Sequence, residues 1–217
     1  MYDILIILLA YLLGSIPFGL VIARLYGVAD IRLVGSGNIG ATNVMRSVGR
    51  FPALLVTILD IAKGAVAVII AGSFGGLLLG DIEYLKLAAG FFAIFGHIFP
   101  IFLKFKGGKG INTALGVFIT LLTLPIFIAI TAFIITVSIS KFVSLGSILG
   151  SFSLPVTVYI TTLIAPDKYH PIYLPVTIIF AILAIFTHRS NIKRLLKGDE
   201  NRFSFHSKAT SEVKDCG

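Results

Sequence analysis

The stretch Ile111–Ser140, INTALGVFITLLTLPIFIAITAFIITVSIS, decides how this chain folds. It carries no charged residue, and Pro125 divides it into Ile111–Leu124 and Pro125–Ser140. Neither half reaches the roughly 20 helical residues that cross a bilayer. Three arrangements are open: a tight hairpin, a locally thinned membrane, or one long helix. Further apolar runs lie at Ile4–Ala23, Ala53–Gly72, Leu85–Leu103, Leu145–Ala165 and Ile172–Thr187. Lysine and arginine placement chooses among the three. With seven spans, 15 of the 18 basic residues fall on one side and only Lys86 and Lys168 on the other, Lys63 lying inside a span. A single crossing at Pro125 would instead place Lys141 and the basic C-terminal segment on opposite sides. The basic side is the cytoplasmic one. The expected fold is therefore an all-α polytopic membrane protein with seven transmembrane helices, N-terminus outside and C-terminus cytoplasmic.

Composition supports this class. Of 217 residues, 57% are hydrophobic and 13% charged, with a mean hydropathy of +1.00, which excludes an ordinary soluble domain. Met1–Leu13 lacks a basic leader and a small-residue cleavage site, so it reads as a retained helix. The single cysteine, Cys216, excludes an internal disulfide and a thiolate metal cluster. The net charge of +8 flanks the apolar runs, so anionic lipid head groups explain it better than nucleic acid. Residues 1–200 form the expected membrane domain and 201–217 a polar cytoplasmic tail, mobile beyond Phe205.

Most of the unusual polar chemistry falls in segments on the cytoplasmic side. Gly35–Arg46 (GSGNIGATNVMR) combines three glycines with Ser36, Asn38, Thr42, Asn43 and Arg46. Glycines allow close backbone approach and inward-turned N–H groups, and a guanidinium suits phosphate oxygens. The formal match to a dinucleotide fingerprint at Gly35, Gly37 and Gly40 has no strand–helix–strand context and is rejected. The bland alternative is a glycine-rich linker between two helices. Lys104-Phe-Lys106-Gly107-Gly108-Lys109-Gly110 opens into the helix starting near Ile111, so its N–H groups and ammonium groups can meet an anion. Otherwise these lysines are only topological anchors.

The last run continues into His188-Arg-Ser-Asn191-Ile-Lys-Arg194, which puts His188, Asn191 and Arg194 on one helical face. Glu200 reads as a structural partner for a nearby cation. Ser144 and Ser147 either cap a helix or bond a phosphate. Asp60 and Lys63, three apart in the second run, are expected to pair with each other or line an inner cavity. No histidine–carboxylate spacing resembles a zinc site, so no metal is expected.

Together these motifs are similar to those of the bacterial acyl-phosphate:glycerol-3-phosphate acyltransferases (PlsY type). The resemblance rests on Ser36-Gly-Asn38-x-Gly40-x-x-Asn43-x-x-Arg46, Lys106-Gly-Gly-Lys109-Gly and His188-x-x-Asn191-Ile-x-Arg194-Leu-x-x-Gly198-x-Glu200. Gly14-Ser-Ile-Pro17-Phe-Gly19, Asp60-x-x-Lys63-Gly64 and Lys141-x-x-Ser144-Leu-x-Ser147 extend it, Lys141 standing where the family often has arginine. It implies a seven-helix enzyme of the bacterial inner membrane with its active site facing the cytoplasm. It also implies acyl transfer from fatty acyl-phosphate to the sn-1 hydroxyl of glycerol-3-phosphate, the first membrane step of phospholipid biosynthesis. The products are 1-acylglycerol-3-phosphate (lysophosphatidic acid) and phosphate. No cofactor is implied, and a soluble phosphate acyltransferase is the implied supplier of the donor.

On this reading Ser36, Arg46, His188 and Asn191 are the catalytic candidates. Asn38, Gly40, Thr42, Asn43, Lys104, Lys106, Gly107, Gly108, Lys109, Ser144 and Arg194 are the substrate-binding ones. The Lys106–Lys109 turn cradles the acceptor phosphate by the same resemblance. Ser36, Asn38 and Arg46 are assigned, from chemistry, to the donor head and the developing oxyanion. His188 and Asn191 orient the attacking hydroxyl. The proton goes either to neutral His188 or to a substrate phosphate oxygen.

Overall fold

The computed structural model describes residues 2–74 and 81–203, and among these no strand occurs. The first apolar run forms α1 (Tyr2–Ser15) and α2 (Phe18–Leu25), broken where Pro17 supplies no N–H. A surface loop and the short α3 (Ala41–Ser47) lead into α4 (Arg50–Phe74), the longest helix. Asp81 caps α5 (Ile82–Ile98) by accepting a hydrogen bond from the Glu83 N–H at 2.9 Å. There follow α6 (Ile111–Leu121), α7 (Thr123–Ser140), α8 (Val143–Ile164), α9 (Tyr173–Thr187) and α10 (Arg189–Lys197).

The stretch Ile111–Ser140 is not one helix. Its break falls at Leu122, whose φ of −136° and ψ of 67° leave the helical region, and not at Pro125. Pro125 sits in the first turn of α7, where its missing N–H costs nothing. Among the described residues, five segments are long and apolar enough to cross a membrane, and the α9–α10 pair makes a sixth if its bent course is one span. With 11 residues, α6 is only ~16 Å long, about half the hydrocarbon thickness. Its length alone therefore does not carry a seventh crossing.

Small residues set the helix packing. A Cβ added at Gly64 would lie 2.1 Å from the Thr113 carbonyl oxygen, and one at Gly116 1.9 Å from that of Ile61, so α4 and α6 touch backbone to backbone. The helices α1, α4, α5 and α6 form one group and α7, α8 and α9 another. They share an apolar core that includes Phe118, Ile126, Leu154 and Phe180. Large apolar side chains such as Ile4, Leu8, Ile58, Ile139, Leu163 and Ile182 are exposed, as a lipid-facing belt requires. Residues 201–203, the start of the expected tail, pack on this body: the Phe203 N–H donates to the Lys141 carbonyl at 2.6 Å. Cys216 and the rest of the expected tail lie outside the described residues.

Candidate active site

The loop between α2 and α3 is folded around one amide. Asn43 is fully buried; its Nδ2 lies 3.0, 3.0 and 2.8 Å from the carbonyls of Ile31, Val34 and Asn38, and its Oδ1 accepts from the Ser36 N–H at 2.7 Å. Buried backbone groups of a loop need partners, and this side chain supplies them. Gly35 permits it, because a Cβ there would sit 2.2 Å from Asn43 Oδ1 and its φ is +60°. Asn38 Oδ1 accepts from the Gly40 N–H at 2.8 Å, shaping the entry to α3. The loop thereby carries Ser36, Thr42 and Arg46 to a shared cavity.

The turn after α5 is arranged differently from the expectation. The N–H groups of Gly107 and Gly108 donate to the carbonyls of Ile98 and His97, both at 3.1 Å, and so finish α5 instead of facing outward. Contact with α5 also explains the glycines: a Cβ at Gly107 would lie 2.2 Å from the His97 carbonyl oxygen, and one at Gly108 2.2 Å from His97 Nε2. Lys104 and Lys106 are exposed on the outer face. Only Lys109 and Gly110, with Ile111 and Asn112 of the α6 N-terminus, reach the cavity.

Between α9 and α10 the chain bends by 58° at His188. His188 Nδ1 lies 2.8 Å from the Ala184 carbonyl oxygen, which can only accept, so Nδ1 carries the proton and Nε2 keeps its lone pair. Burial, reinforced by the nearby Lys109 charge, pushes the imidazole down to about 4, so it is neutral at physiological pH.

Beyond the bend, Gly198 takes a left-handed conformation that ends α10 and returns the chain to Glu200. The Glu200 carboxylate accepts from Ser144 Oγ (2.8 Å), Asn191 Nδ2 (2.7 Å) and Arg194 Nε (2.7 Å). Burial alone would raise this carboxyl; the three hydrogen bonds outweigh it and hold it below the usual range. Lys109 Nζ donates to Asn191 Oδ1 at 2.6 Å, and Arg46 Nη2 donates to the Asn201 carbonyl at 3.2 Å. Burial brings the Lys109 ammonium down to about 8, Glu200 opposing and Arg194 and Arg46 adding to the drop. Three cations thus face one carboxylate, an environment short of negative charge.

Deeper in the membrane, Lys63 pairs with Asp60 at 2.8 Å and donates to the Ile16 carbonyl at 2.9 Å, the group freed by the α1–α2 break. Both side chains are buried, Asp60 faces the cavity, and His97 Nδ1 approaches Asp60 Oδ1 at 3.5 Å.

The cavity measures about 650 Å³. Its polar mouth holds Ser36, Arg46, Lys109, Ser144, His188 and Asn191, contributed by segments far apart in the chain. Its inner wall is largely apolar, with Leu115, Phe118, Ile130, Phe133 and Leu154 from α6, α7 and α8, and Asp60, His97 and Ser151 as polar exceptions. Such a site takes an anionic head group attached to a hydrocarbon chain.

A family model described as glycerol-3-phosphate acyltransferase matches residues 4–198. The chain belongs to the glycerol-3-phosphate acyltransferase family. Within this family, a glycerol-3-phosphate acyltransferase of Prochlorococcus marinus is 43% identical over 201 residues, covering 93% of this chain and 97% of that one. One of Syntrophotalea carbinolica is 45% identical over 197 residues, covering 91% and 95%. The fold is similar to crystal structures of PlsY (YgiH), an integral membrane glycerol 3-phosphate acyltransferase. Against the glycerol 3-phosphate form the TM-score is 0.84 at 38% identity, covering 94% of this chain and 96% of that one. Against the lysophosphatidic acid form it is 0.81 at 37%, covering 94% and 97%.

For a member of this acyltransferase family, the placement of the candidates is informative. Ser36, Asn38, Gly40, Thr42, Arg46, Lys109, Ser144, His188 and Asn191 all line the cavity. Asn43 lines it too, but its amide is committed to the loop, so it positions others. Lys104, Lys106, Gly107 and Gly108 are not on the lining: α5 takes the glycine amides, and the two lysines are exposed outside the cavity. Arg194 stands behind the wall on Glu200. Asp60, Lys63 and Glu200 are in the structural pairings expected of them. Asn112, His97 and the strap Asn201–Phe203 were not singled out by the sequence motifs. Of these, only Asn112, next to the Lys109-Gly110 turn, carried a positional signal.

Proposed function

We propose that this acyltransferase moves a fatty acyl group from acyl-phosphate to the sn-1 hydroxyl of glycerol-3-phosphate at the cytoplasmic face of a bacterial inner membrane. The supporting observation is one cavity whose mouth joins Arg46, Lys109 and His188 to an apolar groove. The basic loops favour a seven-crossing topology with the N-terminus outside and the mouth at the cytoplasmic face, residues 1–200 forming the catalytic body.

Acyl-phosphate is a mixed anhydride with a good leaving group, so the protein's work is positioning and charge neutralisation. Lys109 and the cavity-lining start of α6 receive the acceptor phosphate; Asn191 holds the Lys109 ammonium toward the mouth. Ser36 and Arg46 hold the donor phosphate and the carbonyl oxygen as it becomes an oxyanion. His188 Nε2 accepts a hydrogen bond from the sn-1 hydroxyl and orients it. The hydroxyl oxygen bonds to the acyl carbon, the carbon–oxygen bond to phosphate breaks, and the proton passes to a phosphate oxygen. A neutral imidazole pushed down to about 4 is a weak base for an alcohol, which favours this route over proton abstraction by His188. Lysophosphatidic acid and phosphate leave. A soluble phosphate acyltransferase is the proposed source of the donor.

Radiolabelled glycerol-3-phosphate offered to proteoliposomes with and without palmitoyl-phosphate tests the reading. Donor-dependent label in lysophosphatidic acid is expected. Label accumulating unmodified in the lumen would identify a transporter and overturn it.

A further inference from the structure

Phe118 of α6 and Phe180 of α9 close the inner end of the large cavity, and the same two rings line a second, smaller cavity behind it. Their centroids are 5.1 Å apart with planes inclined at 59°, a tilted aromatic pair. Phe118 is 2% and Phe180 9% exposed. The space behind them is about 20 Å³, bounded by Leu87, Ile94, Val117 and Leu183, with no polar side chain on its wall. That recess is only partly enclosed, with Phe91, 38% exposed, at its edge, and its lining is apolar throughout. The two phenyls are therefore a partition between two apolar spaces.

Each ring lies eight residues from the mouth, Phe118 from Gly110 and Phe180 from His188, which is roughly 12 Å of helix. Leu154 and Ile126, both buried in the same core cluster, complete the closed end.

Resting on the acyl-phosphate reading above, we infer that Phe118 and Phe180 are the chain-length determinant of this acyltransferase, the wall that the terminal methyl group of the acyl chain meets. The cationic mouth anchors the phosphate end, so the chain must run inward along α7 and α8 toward this wall. A methylene that finds room in the groove gains close packing contacts over those it had among lipid tails, and one that meets a packed ring gains nothing or repels. Deleting one ring joins the two cavities and lengthens the groove.

Relative kcat/KM for saturated acyl-phosphates from C8 to C20 tests this in the purified protein and in Phe118→Ala, Phe180→Ala and the milder Phe180→Leu. The optimum is expected to move two or more carbons longer in the alanine variants, with a smaller shift for leucine. Ala129, which lines the groove on α7, gives the opposite test: Ala129→Leu is expected to move the optimum shorter. An unchanged optimum in Phe180→Leu and Ala129→Leu, both still active, would overturn the inference and show that the chain leaves sideways into the bilayer. Should the wild-type protein transfer no acyl chain of any length, the underlying functional reading fails instead.

Discussion

Raising the pH from 7 to 9 is expected to raise the KM for glycerol-3-phosphate about tenfold, because the acceptor site depends on an ammonium that titrates inside this window. Lys109 is brought down to about 8 from 10.5 by burial and by its cationic neighbours. At pH 7 it is about nine-tenths charged and at pH 9 about one-tenth. The acceptor's phosphate, with a second ionisation near pH ~6, is a dianion throughout and adds no slope of its own. The sign for stability is opposite. A folded value below the unfolded one penalises the charged form, so the empty protein bears the penalty below pH 8 and is relieved of it as pH rises to 10.5. The gap corresponds to roughly 3 kcal/mol, which a bound phosphate dianion offsets by supplying the missing negative charge. Initial rates across pH 7–9 in wild type and Lys109→Arg check the argument. Arginine does not titrate here, so its profile should be flat. A flat wild-type profile, or an arginine variant with the wild-type slope, would refute the role of Lys109.

Other variants separate the remaining roles. In His188→Gln, turnover at saturating substrates should stay within about tenfold of wild type; a loss of several orders of magnitude would instead make His188 the essential base. Asn43→Asp removes the amide donor facing three carbonyls while keeping the size. Limited proteolysis should then cut the Ile31–Gly40 loop and kcat should fall, and resistance equal to wild type would deny the loop its hub. Glu200→Gln weakens three hydrogen bonds at a buried carboxylate, at about 2–4 kcal/mol, and should lower the melting temperature in detergent by several degrees. Gly116→Ala drives a methyl group into the Ile61 carbonyl, so size-exclusion profiles should show loss of the monodisperse protein; normal elution and melting would mean that α4 and α6 can separate.

How far the chain could be read before its structure depended on what kind of signal each part carried. The apolar runs mark the helices because a bilayer demands continuous hydrophobicity, and the predicted breaks fall within a few residues of the observed ones. The break read at Pro125 is displaced by three residues to Leu122, which carries no compositional mark, and the break at Pro17 inside the first run was not read at all. The motif residues Arg46, Lys109, His188 and Asn191 were legible because rare polar groups in an apolar chain need a reason. Two readings meet the same limit. Gly107 and Gly108 resembled an anion cradle, and Asn43 a ligand contact, since sequence cannot say whether an N–H or an amide is consumed by the fold. The apolar groove was invisible for a different reason. With apolar side chains on all its faces, α7 does not distinguish Ile130 and Phe133, which face the cavity, from Ile135 and Ile139, which face lipid.

Donor choice tests the central claim most directly. Purified protein in nanodiscs, given labelled glycerol-3-phosphate and equal concentrations of palmitoyl-phosphate, palmitoyl-CoA or palmitoyl acyl carrier protein, should form lysophosphatidic acid from palmitoyl-phosphate alone. Arg46→Ala should cut that rate by about 100-fold or more, the scale of one lost oxyanion contact. Comparable product from palmitoyl-CoA, or an undiminished rate without Arg46, would contradict a cavity built to hold a phosphate leaving group.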